Sequence, residues 1–138
     1  MNNPILEPVD GNSSFNSEVI YLPEHNVIKI IVSGIFSVST NDQLIAASLA
    51  AAQQYNSHLV VLDMRKVDIA MNHVEIYDLP ERNKLLGVTS HYRVAIIDSP
   101  TSINSRKFKF YEDRAALQNL ERRLFTDENA AIDWLLQK

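Results

Sequence analysis

Residues 60–73 read VVLDMRKVDIAMNH: apolar strand material ending in an aspartate, then a polar run that arrives at a helix start. Val60 to Leu62 continue Leu59 as a short unbroken apolar run, the pattern of a strand covered on both faces. Asn72-His-Val-Glu75 then fits a capping box, in which an Asn oxygen takes the N3 amide and a Glu carboxylate reaches back to the cap. A buried strand leading into a capped helix is half of a βαβ unit, so the chain reads as α/β.

Upstream, Val19 to Leu22 and Val27 to Ser33 are two β-rich runs separated by Pro23-Glu-His-Asn26, which predicts an antiparallel hairpin closed by Gly34. In the second run Ile28, Ile30 and Val32 share one face, while Val27 and Ile31 share the other with Lys29 and Ser33, as expected of a strand inside the sheet. Thr40-Asn-Asp-Gln43 reads as a capping box for a helix to about Tyr55, with Ile45, Leu49 and Ala52 on one stripe among many alanines. Downstream, the helix from Asn72 runs through Ile76 and Leu79 to Pro80, where a kink or restart is expected, and ends near Gly87.

Arg93 to Asp98 reads as another buried strand. Residues 102–120 read as a helix with Phe108, Tyr111 and Ala115 on one stripe and Phe110, Leu117 and Leu120 on another. Arg123 to Phe125 is a short strand, and Thr126-Asp-Glu caps a last helix whose Ala131, Trp134 and Leu135 face inward. The order is ββαβαβαβα: a mixed sheet of about five strands, a leading antiparallel hairpin then parallel strands, with four helices. Residues 1–16 read as an irregular arm and residues 17–138 as a single domain.

Composition narrows the partners. With 13 basic and 17 acidic residues the net charge is −4, which supplies no field for a polyanion, so no nucleic acid is expected. The absence of cysteine excludes disulfides, thiolate metal sites and cysteine nucleophiles. No apolar run approaches the roughly 20 residues of a membrane span, so a cytoplasmic protein without a stable membrane anchor is expected.

Ligands of parallel sheets gather beyond the carboxyl ends of the strands, where this chain offers Gly34, Asp63, Asp98-Ser99 and Thr126-Asp127. A phosphoacceptor aspartate at Asp63 would need an acidic pair for Mg²⁺ after the first strand and a lysine after the last; Gly34-Ile-Phe-Ser and Phe125-Thr stand there instead. Three glycines, none within twenty residues of another, make no phosphate cradle, and no GxSxG turn is present. His25, His58, His73 and His91 have no helical spacing for zinc. Asp63 and Asp98 remain as a candidate carboxylate pair, but strand-end aspartates are ordinary in such sheets. The expectation is no enzyme, no cofactor and no metal. The run Arg106-Lys-Phe-Lys-Phe-Tyr111 reads as core packing with a solvated basic rim.

The helix–strand order after the hairpin, VVLDMR with a helix start behind it, RVAIID, and the closing RRLFTDENAAIDWLL together resemble a SpoIIAA-like STAS domain. More narrowly, they are similar to small stand-alone bacterial STAS/CRAL-TRIO-like proteins. In the anti-sigma-factor antagonists of that family, the corresponding loop carries a serine that a partner kinase phosphorylates, and the added charge blocks docking at the helix start. The resemblance places that motif on Met71-Asn72-His73-Val74, yet no Ser or Thr lies between Asp63 and Thr89.

What the resemblance implies here is a regulatory module that binds an unknown protein partner without that switch, through Asp68, Asn72, His73 and Glu75. The CRAL-TRIO likeness implies an alternative: a carrier or sensor of an apolar small molecule, lipid-like, held under a helix face of Phe108, Tyr111 and Leu117. Pairing into a homodimer is expected of a small stand-alone domain with apolar helices.

Overall fold

The computed structural model describes residues 15–137, so the arm expected over residues 1–16 lies outside the described residues except for Phe15 and Asn16, and Asn16 already belongs to the first strand. Its elements are β1 (Asn16–Leu22), β2 (Val27–Phe36), α1 (Val38–Tyr55), β3 (Leu59–Ile69), α2 (His73–Leu85), β4 (Arg93–Ile97), α3 (Ser105–Leu117), β5 (Glu121–Phe125) and α4 (Glu128–Leu135). The five strands lie in the order β1-β2-β3-β4-β5. Only β1 runs antiparallel to its neighbour.

Because each crossover steps the same way along the sheet, right-handed connections put α1, α2 and α3 on one face. The core divides accordingly. Ile28, Ile30, Val60, Met64 and Ile96 meet Leu44 of α1, Ile76 and Leu79 of α2 and Phe108 of α3. On the other face Val27, Val61, Ala95 and Ile97 meet Ala131, Trp134 and Leu135 of α4. Each Val, Leu, Ile, Met or Phe among them contributes about 1.5–3 kcal/mol when fully buried. The last helix is further tied by Lys29, whose Nζ lies 2.7 Å from Glu128 Oε1, and by the Arg93 guanidinium, 4.3 Å over the Trp134 ring.

Several local expectations are corrected. The strand at 59–62 does not end at Asp63; β3 continues to Ile69, beside a β2 that continues past Gly34 to Phe36. The pairing steps from Ile31↔Asp63 to Ser33↔Lys66, so β3 carries one extra residue. That bulge moves the buried positions from Val60 and Met64 to Val67 and Ile69, which breaks the period-two pattern and made Met64–Ile69 look like a loop. Gly34, at φ 97°, takes a backbone conformation that lets β2 follow the bend.

Since β2 reaches Phe36, α1 starts at once and its cap is Ser37, not Thr40. Ser37 N donates to Thr40 Oγ1 (2.7 Å), while Thr40 N donates to Ser37 Oγ (3.4 Å). The helix α2 runs unbroken through Pro80, with no restart. The helix expected over 102–120 is shorter, because residues 98–104 turn and Asn119 takes a left-handed φ of 60°.

Candidate functional site

Ile69 ends β3, and Ala70 N donates to Phe36 O (2.8 Å), so the chain is held to the sheet edge until Met71 dips into the core. The next residue starts α2. Glu75 N donates to Asn72 Oδ1 (2.9 Å) and Asn72 N donates to Glu75 Oε1 (3.0 Å), a complete capping box. Lys107 of α3 donates to Ile69 O (3.2 Å), and Asn104 Nδ2 donates to Val67 O (3.0 Å). These bonds fix α3 to the end of β3, and the His73 ring rests 5.4 Å from Phe110 of α3. The start of α2 is therefore a rigid, outward-facing corner.

Of the four residues predicted there, Asn72, His73 and Glu75 stand exposed on this corner. Asp68 is also exposed but stays on β3, in register with Ile35, with no hydrogen bond to the other three among the described residues. Beside them Val74 is 68 % and Tyr77 50 % exposed, and the Arg114 guanidinium lies 3.7 Å over the Tyr77 ring. This apolar shoulder was missed in the sequence because α2 presents no regular amphipathic stripe.

Beneath the three helices lies a cavity of ≈ 80 Å³ between them and the sheet. Phe108 and Tyr111 are among the residues that line it. Leu117 does not: it is 71 % exposed at the end of α3, on the outer side, and is corrected. Met64 and Met71 also form part of the wall.

The carboxylate pair weighed from the sequence is not assembled. Asp63 is paired across the sheet with Ile97, so Asp98, one residue further, falls where strand alternation points to the other face. Asp63 is occupied by Arg65, which donates from Nε (2.9 Å) and Nη2 (2.7 Å). Those bonds hold its carboxyl below the usual range, against the opposing effect of burial.

Solved structures that share this fold include two that cover nearly the whole chain. An anti-sigma factor antagonist from Mycobacterium paratuberculosis superposes with a TM-score of 0.59 at 13 % identity, covering 94 % of this chain and 100 % of its own. A Shewanella loihica protein with a SpoIIAA-like fold superposes with a TM-score of 0.58 at 15 % identity, covering 96 % of this chain and 99 % of its own. The fold is SpoIIAA-like. No family model matches the sequence, and no curated protein matches it either.

Within this SpoIIAA-like frame, two groupings escaped sequence reading because they join residues distant in the chain. Asn41 Nδ2 donates to Asn83 Oδ1 (2.9 Å), linking α1 to α2 in the interior, and Asn83 Nδ2 donates to Tyr111 Oη (3.4 Å) on α3. His58 and His91, just before the starts of neighbouring parallel strands, lie against each other with ring centroids 4.3 Å apart and planes tilted by 31°. Burial, then the charges of His91 and Arg93, push the His58 imidazole below its ordinary pKa. Among the described residues no group of three or more potential metal ligands converges, and no helix is long and apolar enough to cross a membrane.

Proposed function

We propose that this chain is a non-enzymatic, STAS-like interaction module that docks a protein partner through the start of α2, without a phosphorylation switch there. The observation that carries this is the corner itself: a doubly capped helix start, fixed by α3, flanked by exposed Val74 and Tyr77, and without a Ser or Thr between Asp63 and Thr89. A capped helix end with adjoining apolar surface gives a partner both anchoring area and a defined orientation. The anti-sigma factor antagonist that shares the fold supports a regulatory reading. Separation of Asp63 and Asp98 onto opposite faces supports a non-enzymatic one.

Cross-linking mass spectrometry on the intact chain in cell extract tests this. Cross-links from a specific partner should map to Lys66, Lys84 or Lys107 around α2, and should vanish in Asn72→Arg/His73→Glu. A partner whose cross-links survive that double substitution would place docking elsewhere.

The cavity favours a second reading, a sensor of a small apolar molecule. Its ≈ 80 Å³ is well under the roughly 150 Å³ that accommodates benzene in an engineered protein cavity, so the ligand in view is much smaller than a lipid. The purified protein should then take up small apolar gases or solvents into its core. Unchanged core-methyl NMR shifts under such solutes would remove this reading.

A further inference from the structure

Resting on the second reading, we propose that the cavity selects a compact molecule with a short hydrocarbon body and one neutral hydrogen-bond-accepting head, of the ketone type, and that Asn83 and Tyr111 read the head. By size, on the order of four heavy atoms fit without rearrangement.

The wall is apolar apart from a few groups whose bonding can be followed atom by atom. Asn83 is 1 % exposed and Asn41 3 % exposed, and both line the space together with Tyr111. Asn83 Oδ1 is taken by Asn41 Nδ2, and Tyr111 Oη accepts from Asn83 Nδ2 at a long 3.4 Å. An amide nitrogen carries two hydrogens and a phenol one, so this corner retains donor capacity: the second Asn83 N–H and the Tyr111 O–H. A head that accepts is complementary to it. The same count leaves Asn41 Oδ1 nearby as an acceptor without a partner among the described residues, so the head that fits is one that accepts from the first two, and the ketone is its simplest case.

The two cations at the wall do not change the sign of this preference. Lys107 is engaged with the carbonyl of Ile69, and Arg122 with the carbonyls of Tyr92 (3.4 Å) and Glu121 (3.0 Å). An ionised head would be costlier to dehydrate than a ketone oxygen, which keeps one or two hydrogen bonds. The body meets Leu44, Leu79 and Val94, and the thioethers of Met64 and Met71 adapt to its shape.

The experiment titrates the intact protein, labelled with ¹³C at the methionine methyls, with acetone and with isobutene, which replaces C=O by C=CH₂ in the same shape. Both probes should shift the Met64 and Met71 methyls saturably. In Tyr111→Phe, acetone binding should weaken roughly five- to tenfold, the loss expected of one buried hydrogen bond, while isobutene binding stays within about twofold. Equal changes for both probes would overturn head recognition and leave the small-molecule reading standing. Failure of both probes to move either methyl in the wild-type protein would overturn the two together.

Discussion

The buried amide pair Asn41–Asn83 makes a quantitative prediction. It joins α1 to α2 in the core at 2.9 Å, with both residues almost wholly excluded from water. Replacing Asn83 by Leu removes the acceptor and leaves Asn41 Nδ2 buried without it, a penalty of about 1–3 kcal/mol, taken here as about 2. Asn41→Leu leaves Asn83 Oδ1 in the same position, at a similar cost. The extra methyl volume has the adjoining ≈ 80 Å³ to enter, so overpacking adds little.

When both are Leu, no polar atom of the pair is stranded, and the apolar pair can pack in its place. The double variant should therefore lose about 2 kcal/mol or less, against about 4 for simple addition, a coupling of about 2 kcal/mol. For a chain of this length that corresponds to single-variant Tm drops of about 8 °C, with the double variant no lower. Urea denaturation followed by far-UV circular dichroism on the four proteins measures it. Additive losses, or single variants as stable as the wild type, would refute the reasoning that this bond is made and sealed from water.

Two further outcomes follow from local geometry. Gly87 has φ 113°, and a Cβ there would sit 3.2 Å from Leu49 Cδ1; Gly87→Ala should cost more than about 1 kcal/mol in the same urea assay, and a neutral result would show that the turn after α2 relaxes freely. His58, whose folded pKa lies below its unfolded value near 6.5, makes the unfolded state bind more protons as pH falls, so stability should decline from about pH 7.5 downward through the lowered folded pKa. His58→Gln should flatten that decline, and identical slopes would refute it; Asp63, lowered chiefly by Arg65, acts in a separate window, its contribution present above the carboxylate range and lost only in strong acid.

The parts of this fold visible in the sequence are those set by local chemistry. The hairpin, the element order and the Asn72–Glu75 box all follow from apolar runs and short-range caps. The errors cluster where a distant neighbour decides. Met64–Ile69 is a strand because β2 lies beside it, and its bulge scrambles the alternation that would have announced it. Gly34 resembles a terminator, yet its positive φ continues the strand and moves the helix cap back to Ser37. Leu117 fits a helical stripe, but α3 stops there and the side chain faces outward. The Asn41–Asn83 bond, 42 residues apart in the chain, leaves no sequence signal, and neither does the His58–His91 contact.

The uninterrupted strand order has a consequence for where anything can bind. Doubly wound sheets open a crevice at their carboxyl edge because the order reverses and two successive crossovers leave toward opposite faces. Here the sequence of strands never doubles back, so neighbouring crossovers never part company and that crevice has no place to form. Asp63 and Asp98 accordingly have no crevice to line. A molecule entering the interior would have to go beneath the helical roof, so the residues that line that roof, rather than the sheet edge, set what the core can admit.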